Sequence, residues 1–183
     1  TLGIESTAVI LSFAIIPFEF EEEFTYEQYL NRSLFVKFNV EEQIKKYKRS
    51  ITQSSMEFWA KQNEHSRKKS LIPSADDVTA EIGINKFEKY VKDRNDGSKQ
   101  YAWARGGLDQ VTIDSLTRAL RGPDADPIFP YNNWMDVRTA LSLTKETAGQ
   151  GYCQIPGFDR NIVVKHDPIH DCAYDIMMLV KGK

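Results

Sequence analysis

The stretch from His166 to Ile176, His-Asp-Pro-Ile-His-Asp-Cys-Ala-Tyr-Asp-Ile, concentrates residue types that can do chemistry. It sets an imidazole, His166, just ahead of an expected helix and a carboxylate, Asp171, one turn inside it. That pair suits a site that binds a metal ion and removes a proton from water. An imidazole titrates near neutrality, and a carboxylate is a hard oxygen ligand. A second carboxylate, Asp109, follows a short apolar segment and Gly106-Gly107 at the mouth of another helix, where side chains project beyond a sheet. Position alone leaves blander readings open. Asp109 fits an N-cap, and Asp171 fits an acidic residue favoured by the helix dipole. His166 fits a solvated loop residue, and His170 fits an exposed or packed helix position.

The elements that must position these groups follow from periodicity and punctuation. Thr7 to Phe18 is a continuous apolar run rich in branched side chains, expected as a buried strand that Pro17 brings to an exit. Ser33 to Phe38 is a second strand. Val40 to Gln62 is mostly helical or irregular and holds the basic stretch Lys45 to Arg49, expected as a solvated face. Ser74 with Asp77 gives a start resembling a capping box, followed by a helical stripe of Val78, Ile82, Phe87 and Val91. Tyr101 to Ala104 is a short strand, and a helix runs from about Asp109 to Arg121. Trp134 to Val137 is another strand, leading into a helix that ends near Leu143. Thr144 to Lys165, with Gly149, Gly151, Pro156 and Gly157, is irregular. In the last helix Asp167 caps and Pro168 takes the first position, where proline is favoured. The expected architecture is α/β, a mixed central sheet with helices on both sides.

At 183 residues the chain is expected to form one domain with a proper core. Hydrophobic residues make up 41% and charged residues 27%, and the formal net charge is -2 with a pI of about 5.9. A protein that coats duplex DNA by neutralising phosphates would be basic, so that class is disfavoured. Cys153 and Cys172 form no CxxC pair, and Cys172 reads as a reduced, packed thiol. No apolar run reaches membrane-spanning length, and the N-terminal apolar stretch lacks a basic leader. The expectation is a soluble cytoplasmic protein without a membrane partner, in the host cytoplasm if a phage encodes it.

The tail resembles the third motif of the DEDDh 3'-5' exonucleases: a histidine, four residues, an aspartate, then small residues and an apolar helix. His166 and Asp171 match it, with Cys172 and Ala173 as the small residues. The segment Trp103 to Asp109 resembles the second motif, with Leu108 where an aromatic residue is usual. Ser55 to Gln62 and Trp134 to Thr139 resemble the subgroup of phage exonuclease A and related bacterial exoribonucleases. The family's first motif is Asp-x-Glu-Thr with a turn and an apolar strand, and Thr1-Leu2-Gly3 and the run from Thr7 match the positions after its two acids. Residues 1–183 are therefore expected to be a single exonuclease domain truncated just after that motif.

The resemblance implies an RNase H-like fold and a metal-dependent 3'-5' exonuclease that hydrolyses single-stranded DNA to 5'-mononucleotides. Two Mg²⁺ or Mn²⁺ ions would be held by Asp109, Asp171 and two upstream acids, with His166 as general base. Arg105, beside the second motif, has two readings, a phosphate contact and a structural salt bridge. Trp59 and Phe58 read as core packing first, with a stacking face for a terminal base as the functional alternative. The partner is a single-stranded nucleic acid 3' end; the sequence does not fix the oligomeric state. An exoribonuclease is the alternative within the same chemistry. From other classes, a non-catalytic nucleic-acid-binding module and a structural α/β domain are the rivals.

Overall fold

The computed structural model describes residues 1–148 and 151–183, so Gly149 of the expected irregular segment lies outside the described residues. The apolar run beginning at Thr7 is buried from Ala8 to Leu11, each at most 2% exposed, but only Ser12–Ile15 (β1) forms a ladder strand. The reason is that its main chain finds partners elsewhere. The fully buried Gln43 side chain accepts from the Ile10 amide at 3.0 Å and donates to the Ile10 carbonyl at 2.8 Å, replacing a neighbouring strand.

Beyond β1, Tyr26–Asn31 (α1) opens on a capping box formed by Thr25 and Gln28. Leu34–Lys37 (β2) pairs antiparallel with β1, Ser12 opposite Lys37. Val40–Tyr47 (α2), Gln53–Ala60 (α3) and the short Glu64–Ser66 (α4) come next, the last running into a π-turn at Arg67–Leu71. The basic stretch departs from expectation at its end: Arg49 is 5% exposed and turns inward to donate to the carbonyls of Ser6, Ala8 and Thr112. The Ser74–Asp77 pair also differs from expectation. It closes a local turn, and the next helix, Ala80–Lys92 (α5), is capped by Thr79.

Ala102–Ala104 (β3) pairs in parallel with Trp134–Asp136 (β4), and between them lies Leu108–Arg121 (α6). Asp136 caps Val137–Thr144 (α7), and a two-residue ladder joins Thr147–Ala148 (β5) to Tyr152–Cys153 (β6). Pro168–Lys181 (α8) closes the chain. The fold is thus mixed α/β, and the strands of the described residues lie in three two-stranded sheets. Among those residues no strand pairs with the second edge of β1 or of β3. No described helix is long and apolar enough to cross a membrane.

Three apolar clusters tie these pieces together. The largest buries Tyr29 of α1, Leu141 of α7 and Ala173 and Met178 of α8. A second joins Phe38, Ile84 of α5 and Leu116 of α6, and a third holds Leu2, Val9, Leu11 and Trp59. In the second, α5 lies so close to Phe38 that a Cβ on Gly83 would sit 2.2 Å from its ring. Alanine normally stabilises a helix interior relative to glycine. Here the fully buried Phe38 has nowhere to retreat. Gly83→Ala is therefore expected to destabilise by about 1–3 kcal/mol, as overpacking does. Urea denaturation checks the sign, and a gain in stability would contradict this packing.

Candidate active site

The geometry around His166 starts with the cap of α8. Asp167 is 2% exposed; its Oδ1 accepts from the Ile169 amide at 3.0 Å, and its carbonyl accepts from the Asp171 amide at 2.9 Å. His166, one residue earlier, takes φ 62°, the left-handed region rarely used by residues with a Cβ. The turn in this way sets an imidazole outside the helix and a carboxylate in its first turn. The ring of His166 meets Phe58 edge to face, centroids 5.1 Å apart. His170 is packed rather than solvated, its Nδ1 2.9 Å from the Tyr26 hydroxyl.

Asp109 stands in the first turn of α6, whose cap position is held by Gly107, so its carboxylate is not the cap. Gly106, with φ 87°, makes the turn out of β3 that brings α6 to this point. Just before it, Arg105 grips Asp175 with Nε at 3.1 Å and Nη2 at 2.5 Å from Oδ1, and its guanidinium lies 4.2 Å over the Tyr152 ring. Of the two readings of Arg105, the structure shows the salt bridge, made to a carboxylate one turn beyond Asp171.

Asp109, His166, Asp171, Arg105 and Asp175 all line one open cleft of about 1700 Å³, bounded by β1 and β3. Its electrostatics are strained toward proton or cation uptake. Crowding by the cleft walls, followed by repulsion from Asp175, pushes the Asp171 carboxyl up to about 7, against a main-chain hydrogen bond from His166. Both Asp109 and Asp171 remain exposed on their cleft side, so solvent screens part of this effect. Asp109 is raised by burial, and Asp175 adds to it. Burial also raises Asp175, and Arg105 opposes it. Burial lowers the His166 imidazole, with Lys165 adding to it, which favours the neutral, proton-accepting form at neutral pH. Cys172, between these acids, has its thiol driven upward by burial and donates to the Ala14 carbonyl at 3.5 Å.

Of the two stacking candidates, Trp59 is 8% exposed, belongs to the third core cluster and donates through Nε1 to the Thr1 carbonyl at 3.0 Å. Phe58 is exposed and lies against His166. Two participants escaped the sequence. Asp175 was visible as the residue four after Asp171, hence on the same helix face. His65, whose Nε2 lies 2.8 Å from Asp167 Oδ2, had no local signal, because the partners stand 102 residues apart. Among the described residues no three His, Cys, Asp or Glu side chains converge closely enough to hold a metal.

Residues 1–181 match the family model of the Rv2179c-like 3'-5' exoribonuclease domain. Over 193 aligned positions the chain is 30% identical to the exodeoxyribonuclease of Enterobacteria phage T4, covering 98% of this chain and 84% of the phage protein. No solved structure matches.

A carboxyl whose pKa is higher folded than unfolded binds protons preferentially in the folded state. Its effect is absent below the unfolded value, and stability is lost as the pH rises toward the folded value of about 7. Asp171→Asn removes that loss. In metal-free buffer at pH 8 the variant is expected to melt about 2–4 °C higher, roughly 1 kcal/mol after solvent screening. The gain should shrink as the pH falls from 7 toward 4. A variant less stable than the parent at pH 8 would contradict the crowding of these acids.

Proposed function

Because this chain belongs to the family of Rv2179c-like 3'-5' exoribonuclease domains, a 3'-5' exonuclease family, we propose that it hydrolyses single-stranded DNA from the 3' end to 5'-mononucleotides. The observation that carries the reading is the cleft shared by Asp109, His166 and Asp171, three side chains drawn from two distant stretches of chain. Its DNA preference follows the exodeoxyribonuclease relative. RNA is the second reading, favoured by the family's description.

Divalent ions fit the chemistry of the two carboxylates present, which alone fall short of a complete ligand set among the described residues. Asp109 and Asp171 offer hard oxygens, held above the ordinary carboxylate range by burial and by Asp175, and the protonated Cys172 thiol is no competing soft ligand. Asp109 and Asp171 would hold Mg²⁺ or Mn²⁺ as a pair of ions, completed by the Asp-x-Glu acids of the first motif. When bound, such ions supply an activated water and stabilise the leaving oxygen. The chain's own part is proton transfer and orientation. Neutral His166 accepts the proton of the attacking water through its imidazole, which the turn at Asp167 holds beside the cleft. Arg105 keeps Asp175 neutralised beside Asp171. Phe58 offers an exposed ring next to His166 for a terminal base.

An RNase H-like sheet fits the same cleft. The free edges of β1 and β3 both border it.

His166→Ala, in the full-length protein, is expected to lower turnover about 10²–10⁴-fold while metal and substrate binding persist. Release of mononucleotides from end-labelled single-stranded DNA and RNA measures it and ranks the two substrates. Undiminished turnover would remove His166 from the mechanism. Binding of both strands without release of nucleotides would favour a non-catalytic module.

A further inference from the structure

We infer that the turn carrying Asn63, His65 and Ser66 is a positioning device for His166, an inference that rests on the proposed role of His166 as proton acceptor. His166 sits in a backbone conformation that a residue with a Cβ keeps only when its surroundings hold it there. Both of its chain neighbours are held from this one turn. On one side the Lys165 carbonyl accepts from Ser66 Oγ at 2.6 Å and from Asn63 Nδ2 at 3.4 Å. On the other, His65 Nε2 meets Asp167 Oδ2 at 2.8 Å. Asn63 does double duty, since its Oδ1 also caps α4 by accepting from the Ser66 amide at 2.8 Å.

The division of labour at Asp167 separates positioning from folding. Its Oδ1 already caps α8 through Ile169, so the cap does not need His65. His65 adds a second tether on the other oxygen, which fixes the carboxylate plane and with it the direction of the chain leaving His166. Asp167 is almost wholly buried, whereas the His65 side chain is 56% exposed, so removing that ring opens no cavity. The tether joins segments 102 residues apart. The next helical turn back along this segment places Phe58 on the His166 ring, so α3 and α4 together hold both the main chain and the side chain.

The test compares His65→Ala with His65→Gln, whose amide reaches Asp167 with a donor. Three readouts are taken: amide hydrogen exchange at Asp167, Ile169 and Asp171, the melting temperature, and kcat with KM on 3'-labelled single-stranded DNA. In His65→Ala the three amides are expected to exchange about 5-fold faster or more, and kcat to fall about 10-fold with KM unchanged and the melting temperature lower by only about 2–4 °C. His65→Gln should restore both exchange and kcat. Unchanged exchange in His65→Ala overturns the inference, as does faster exchange with kcat intact while His166→Ala abolishes turnover. A kcat loss that tracks the melting temperature, or that glutamine fails to restore, also overturns it. If His166→Ala retains full turnover, the role of His166 falls on its own, and the exchange rates still decide whether this turn holds the segment.

Discussion

The buried carboxylate of Asp167 governs where the chemistry of this chain sits. One oxygen starts α8 by accepting from Ile169, the other is tied to His65, and the residue's carbonyl accepts the Asp171 amide. These bonds fix the path between His166 and Asp171, which a five-residue spacing alone would leave free. Desolvating a carboxylate is costly unless its lone pairs are filled. Here they are filled by groups that also hold the neighbouring residues, so the cost of burial and the precision of the site have one source.

The second constraint is charge. Asp109, Asp171 and Asp175 crowd one cleft, and among the described residues only Asp175 has an ion-pair partner, Arg105. Repulsion and reduced solvation leave the other two poised to take up a proton or a cation. The neutral bias of His166 points the same way, since an imidazole that stays unprotonated at neutral pH accepts a proton from water. Membership of a 3'-5' exonuclease family gives that electrostatic tension a use.

The parts of the molecule governed by local rules were legible in the sequence. The Asp167 cap and Pro168 announced the start of α8 to the residue, and the apolar stripe of α6 announced its span within one residue. Parts governed by contacts between distant segments were not. Gln43 stands in for a strand beside Ile10, shortening the expected Thr7–Phe18 strand to four residues, and no pattern near either residue foretells it. Arg49 reads as one more exposed cation until the carbonyls of Ala8 and Thr112 are seen around it. The same holds at the site. Asp109, His166 and Asp171 stood out only through the motifs that carry the family resemblance, while the Arg105–Asp175 pair and the His65 tether exist only once the chain has folded.

The central claim is that Asp109 and Asp171 form the protein's share of a divalent cation site with His166 beside it. Anomalous scattering from crystals of the full-length protein, grown with Mn²⁺, tests it most directly. The account predicts manganese peaks within bonding distance of the Asp109 and Asp171 carboxylates, with the His166 ring facing the same space. A map without such peaks, or manganese bound elsewhere with these three side chains facing apart, would contradict it.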